Sequence, residues 1–189
     1  LAPRGYVMAL ANTQHHKNVR ILLQAFEDAR LVATKLVLFG KASRGSLAGV
    51  LGRELPANVV TPGAISDAEL AGLYANALCL GFPSLTEGFG LPPLEAMLLG
   101  CPAIVAPCGS LPEVCGDNAL YAAPDQPGEW VDRILSLAAP EAHADWSARG
   151  REQAAAFTWR AAAGRLLEVL ESTGPVQGEP VALPRREAA

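Results

Sequence analysis

Short apolar runs alternate with amphipathic helical segments along almost the whole chain, and this alternation restricts the fold more than any other feature. The runs are Tyr6–Leu10, Lys35–Phe39, Val59–Val60, Ala77–Phe82, Ala103–Ala106 and Leu120–Ala122. Such runs, short and set off by turn residues, are the mark of buried strands. Between them lie helical patterns at Asn18–Arg30, within Leu47–Leu55, and at Ala68–Ala75, Leu94–Leu99 and Leu111–Cys115. Three more follow at Glu129–Ala138, Glu141–Ala155 and Trp159–Glu171. In the first helix Val19, Leu22, Leu23 and Phe26 fall at helical spacing, and Asn18 is placed to cap it. The alternation predicts an α/β sandwich of three layers around a parallel sheet of about six strands, with ligands at the carboxyl ends of the strands. Trp130, Trp146 and Trp159 fall among apolar helical positions and are expected in the core.

Composition narrows the function classes. Half of the 189 residues are apolar and only 18% are charged, which suits a globular domain with a sizeable core. A net charge of -4 argues against a nucleic-acid partner. No apolar run approaches the ~20 residues of a membrane span, and no signal peptide is visible. A cytoplasmic location is expected. Cys79, Cys101, Cys108 and Cys115 lack the close pairing of a zinc site and are expected to be reduced core residues. One domain is expected over residues 1–172, with a flexible Gly- and Pro-containing tail over 173–189. The chain opens on Leu1, not methionine, so its natural start is expected to lie further upstream.

The stretch Pro83–Pro102, PSLTEGFGLPPLEAMLLGCP, follows the fourth apolar run. It places Glu87, Gly88 and Gly90 in a loop, Pro92 and Pro93 at a helix start, Glu95 in the opening turns, and a stop at Gly100. Strand, glycine loop and helix N-terminus together offer backbone N–H groups and a positive dipole end to an anion. Two carboxylates beside such a loop suit a ligand carrying both phosphate and hydroxyls, such as a nucleotide sugar. Lys17, ahead of the first helix, is a cation at a helix start, where it opposes the dipole. A phosphate would reconcile the two positive charges; a solvated surface lysine is the plainer alternative.

EGFGLPPLEAMLLGCPAIVA resembles the E-x7-E signature of the retaining glycosyltransferases of family 4, also called group 1. YVMALANTQHHKNVRILLQAF and GAISDAELAGLYANA resemble the family's phosphate-site and base-site segments, and CGSLPEVCGDNALYAAPDQP and FTWRAAAGRLLEVLES its later blocks. The five blocks stand in family order from Tyr6 to Ser172. The resemblance implies a Rossmann-like domain, the donor-binding C-terminal half of a GT-B enzyme, with the acceptor held by an N-terminal domain outside this chain. The combination of His16-Lys17-Asn18 with SLPEV and FTW is closest to mannosyltransferases of polysaccharide synthesis. It favours GDP-mannose as donor, a glycan or lipid-linked acceptor, and peripheral association of the intact enzyme with the inner face of the membrane.

The resemblance also assigns residues. Lys17 would neutralise the donor pyrophosphate, Glu87 would hold hydroxyls of the donor sugar, and Glu95 would take the ribose. Gly88, Phe89, Gly90 and Leu91 would bind donor through their backbone, and Gly63 and Ile65 would lie against the base. Ala11 and Asn12 stand where most members carry a Gly-Arg pair, so His16 or the N-terminal domain is expected to supply the second donor, and Lys41 is a further candidate. No Asp-x-Asp metal motif occurs in the sequence, so no metal and no other cofactor is expected. Hydrolase chemistry needs two carboxylates ~5–9 Å apart across a glycosidic bond, and an intervening anion loop would serve no purpose there. The competing reading is a nucleotide-binding module without catalysis.

Overall fold

The computed structural model describes residues 1–173, so the expected tail lies, apart from Thr173, outside the described residues. The chain divides into two units, Leu1–Ala156 and a second beginning at Phe157. The first is built on six strands: β1 (Tyr6–Leu10), β2 (Lys35–Phe39), β3 (Val59–Gly63), β4 (Cys79–Phe82), β5 (Ala103–Val105) and β6 (Leu120–Tyr121). All pair in parallel, in the order β3-β2-β1-β4-β5-β6. The six parallel strands expected from the alternation are therefore present.

Seven helices cover the sheet: α1 (Val19–Ala25), α2 (Arg44–Leu51), α3 (Asp67–Asn76), α4 (Leu91–Leu98), α5 (Leu111–Cys115), α6 (Pro127–Ser136) and α7 (Pro140–Ala155). Side chains alternate across a strand, so β1 feeds both layers. Val7 and Ala9 pack with Leu22 of α1, Leu47 of α2 and Trp130 of α6, while Tyr6 and Met8 pack with Tyr74 of α3, Met97 of α4 and Leu111 of α5. With both faces covered, the strands read as continuous apolar runs and not as alternating ones.

Local chemistry moved several helix boundaries. The first helix ends at Ala25 instead of Arg30, because the Asp28 carboxylate accepts from the Arg30 N–H at 2.9 Å and supports a separate turn at Ala29–Leu31. α2 begins at Arg44, ahead of the expected segment, where Ser43 Oγ accepts from the Ser46 N–H at 3.1 Å. Ser66 and Glu69 close a reciprocal capping box on α3. α4 starts at Leu91, earlier than its apolar pattern suggested, with its prolines in the first turn, and Gly100 leaves its far end at φ +78°.

Trp130 is buried and Trp146 packs partly against the core, but Trp159 does not meet the expectation. It opens α8 (Trp159–Ser172), the helix of the second unit, and is 91% exposed. Thr158 caps that helix by accepting from the Ala161 N–H at 3.1 Å. Among its described residues the second unit holds this one helix, which offers no second layer of the unit in which to bury an indole.

Candidate functional site

The strand order reverses at β1, which pairs with β2 on one side and β4 on the other. The connections leaving β1 and β4 part there, opening a crevice beyond their carboxyl ends, the place where open α/β sheets bind ligands. Lys17 stands on the β1 connection and Glu87 on the β4 connection. Lys17 Nζ donates to Glu87 Oε1 at 2.7 Å, with the two side chains 21% and 14% exposed. Lys17 is thus partly buried and paired across the crevice and not fully solvated.

Each side of the crevice is held by its own hydrogen bonds. On the β1 side, the Gln14 N–H donates to Asn12 Oδ1 at 2.8 Å, turning the chain into a short 3-10 helix at His15–Lys17. Asn18 occupies the expected cap position but its side chain does not cap. It sits in the left-handed region at φ 50°, and Nδ2 donates to the Pro124 carbonyl at 2.8 Å. The connection after β6 is tied in by that bond. The two sides meet where the Leu85 N–H donates to the His16 carbonyl at 2.7 Å. His16 is half-buried, and its carbonyl is the acceptor of that bond.

On the β4 side the glycines differ in their reasons. Gly90 has φ +102°, a left-handed position that strains any side chain, and a Cβ there would lie 2.7 Å from Leu111 Cδ2, which would have to shift. Gly88 has open space around it and is not left-handed. The loop is braced from behind by the connection after β5. Ser110 Oγ lies 3.0 Å from the Glu87 carbonyl and 2.8 Å from that of Phe89, and Gly109 leaves no room for a Cβ against the Glu87 backbone. The Gly88 and Gly90 N–H groups make no hydrogen bond among the described residues. Prolines at 92 and 93 remove two donors from the first turn of α4. The free N–H groups at this end of α4 therefore come from the loop more than from the helix.

Other expected residues stand apart from this pair. Glu95 is exposed on α4, and its carboxylate makes no hydrogen bond or ion pair among the described residues. It lies near Tyr74, whose hydroxyl is buried without a hydrogen-bond partner among the described residues. Burial, then the Glu95 carboxylate and Cys101, push that phenol well above its ordinary range. Gly63 ends β3 at φ +83° beside half-buried Ile65, and Lys41 is exposed just past β2. Phe89 and Leu91 both present exposed side chains. Sequence reasoning missed Ser84, Gly109 and Ser110. Ser84 is 1% exposed, and its Oγ donates to Glu87 Oε1 at 2.6 Å. The signal for the other two was the Cys108-Gly109-Ser110 turn that follows a strand, as the glycine loop does.

The described residues hold no group of three or more His, Cys, Asp or Glu side chains arranged to bind a metal ion. Nor is any described helix long and apolar enough to cross a membrane. All four cysteines are free; Cys79, Cys101 and Cys115 are buried, and burial pushes the Cys115 thiol up to about 11.

Residues 3–153 match the family model described as glycosyl transferases group 1. An O-antigen chain mannosyltransferase B of Escherichia coli is 34% identical over 174 residues, covering 84% of this chain and 44% of the relative. An MMP alpha-(1->4)-mannosyltransferase of Mycolicibacterium hassiacum is 36% identical over 60% of this chain and 29% of its own length. Among solved structures, sucrose-phosphate synthase of Thermosynechococcus elongatus superposes with a TM-score of 0.74 at 25% identity, over 89% of this chain and 46% of that one. HepE of Anabaena, solved with UDP and glucose, shares the fold with a TM-score of 0.73 at 22% identity, over 90% of this chain and 49% of its own. The chain thus spans less than half the length of each of these proteins. With four-fifths of its residues matched in sequence order and the same parallel sheet, the chain belongs to the glycosyl transferases group 1.

Proposed function

We propose that this chain is the donor-binding half of a retaining hexosyltransferase. It takes a nucleotide sugar, with GDP-mannose favoured, and serves transfer to a glycan or lipid-linked acceptor in cell-surface polysaccharide synthesis. One observation carries the proposal: in a chain of this family, Lys17 and Glu87 meet at 2.7 Å over the crevice where the sheet order reverses. A cation and a carboxylate so placed, beside the Gly88 and Gly90 N–H groups, match a ligand with a diphosphate next to a polyol. Lys17, with the backbone around Gly88 and Gly90, neutralises the departing diphosphate. Glu87 accepts from hydroxyls of the sugar, and Glu95 from those of the ribose.

Attack on the same face as departure keeps the anomeric configuration, with a phosphate oxygen of the leaving group helping to deprotonate the acceptor. Neither glutamate acts as a covalent nucleophile. Charge neutralisation by Lys17 and the loop makes a metal unnecessary. The mannosyltransferase relatives support the choice of sugar and of pathway class. Their greater length supports an acceptor-binding domain elsewhere in the intact enzyme, which would work in the cytoplasm at the inner face of the membrane.

A thermal-shift screen against GDP, UDP, ADP and their sugar conjugates tests the proposal. GDP-mannose should raise the melting temperature above the shift given by GDP, with and without EDTA. No saturable shift with any nucleotide would remove the donor site. A binding module without catalysis would bind equally well but transfer no sugar as the intact protein.

A further inference from the structure

Glu87 is held twice over. Its backbone is braced by Ser110 and Gly109, and its carboxylate receives two donors on a single oxygen. Ser84 Oγ lies 2.6 Å from Oε1 and Lys17 Nζ 2.7 Å from the same atom, leaving Oε2 without a partner among the described residues. The two donors differ in what can become of them. Lys17 is on a different connection, 21% exposed, and has a long stem that can swing toward an arriving phosphate. Ser84 is 1% exposed at the end of β4, and its neighbour Leu85 is pinned through its N–H to the His16 carbonyl. Among the described residues, that bond to Oε1 is the one the buried Ser84 hydroxyl makes, so letting go of it would bear the cost of an unsatisfied polar group.

From this geometry we infer that Ser84 is a positioning residue for Glu87: it keeps Oε1 fixed while Lys17 moves to the diphosphate, so that Oε2 stays aimed at one hydroxyl of the donor sugar. The inference rests on the donor reading above. It goes further in dividing the carboxylate into an anchored oxygen and a ligand-facing one. It also explains why a serine is buried three positions before the glutamate, where packing alone would favour an apolar residue.

Calorimetric titration of the chain with GDP and with GDP-mannose separates the possibilities, because only the second carries the sugar. The ratio of the two affinities measures the sugar's contribution. Ser84→Ala should lower that ratio by about fivefold, the size of one hydrogen bond, while leaving GDP affinity unchanged. Ser84→Cys keeps the volume with only a weak donor and should lower it likewise, which preserves the test if alanine costs the fold. Glu87→Ala should bring the ratio to unity. A Ser84 variant that weakens GDP and GDP-mannose alike, or leaves the ratio intact while Glu87→Ala abolishes it, overturns the inference and spares the donor reading. Equal affinities in the unsubstituted chain overturn both.

Discussion

Lys17 and Glu87 neutralise each other across the crevice, with both side chains largely out of water. Removing one partner leaves the other's charge partly buried and uncompensated, so the two positions are not independent. In the intact transferase, Lys17→Ala should lower kcat by roughly two or more powers of ten, by analogy with the loss of one oxyanion donor. Glu87→Ala should lower kcat as well. The double variant should be little worse than the weaker single one, and steady-state kinetics on all three close the cycle. Glu95, exposed and outside the pair, should behave differently: Glu95→Ala raises the donor KM more than it lowers kcat, the signature of binding lost equally from ground and transition states. Among the thiols, Cys108 alone is not buried. Brief alkylation of the native chain, read by mass spectrometry of its peptides, should mark Cys108 and leave Cys79, Cys101 and Cys115 intact.

At the scale of elements, the loop before α4 separates two glycines that look alike in sequence. Gly90→Ala forces a side chain into a left-handed position against Leu111 and should cost about 1–3 kcal/mol. Gly88→Ala should stay within roughly 0.5 kcal/mol, since its Cβ meets nothing. Urea titration of both variants checks the contrast. On α7, His143 is buried against the Ala77 carbonyl, and burial lowers its pKa below the ordinary 6.5. Arg4 and Arg151 lower it further, while the backbone of Ala77 and Leu78 opposes the shift. The folded state thus favours the neutral ring. This contribution is complete above the unfolded value and is lost as pH falls from about 6.5 through the lower folded value. Melting temperature should drop across that window, and less steeply in His143→Gln. The strands and most helices were legible because apolar runs set between turn residues leave few alternatives. Less legible was whatever depends on a side chain meeting distant backbone. Asn18 looked like a cap and instead bonds Pro124, Asp28 ended a helix that the apolar pattern would have continued, and Ser84 gave no sign of its bond to Glu87. Trp159 looked like core because helical spacing reveals an apolar face but not what covers it.

For the whole molecule, the sheet order matters most. Reversal at β1 brings the connections after β1 and β4 to one crevice, and two residues seventy positions apart in the chain become a single site. The crevice is formed by one unit of a chain that spans less than half the length of the relatives described above. Alone, residues 1–189 should bind donor weakly and transfer no measurable sugar, which radiolabelled GDP-mannose with candidate acceptors would check. The central claim is that a nucleotide sugar binds over the Lys17–Glu87 pair. Amide chemical-shift mapping of the isotope-labelled chain during titration with GDP-mannose tests it most directly. Saturable shifts should concentrate at Ala11–Asn18, Gly63–Ile65 and Ser84–Leu91, and should be lost in Lys17→Ala. Saturable shifts elsewhere, for example around Asp28, Lys35 and Asn58 at the opposite ends of the strands, or none at all, would contradict the account.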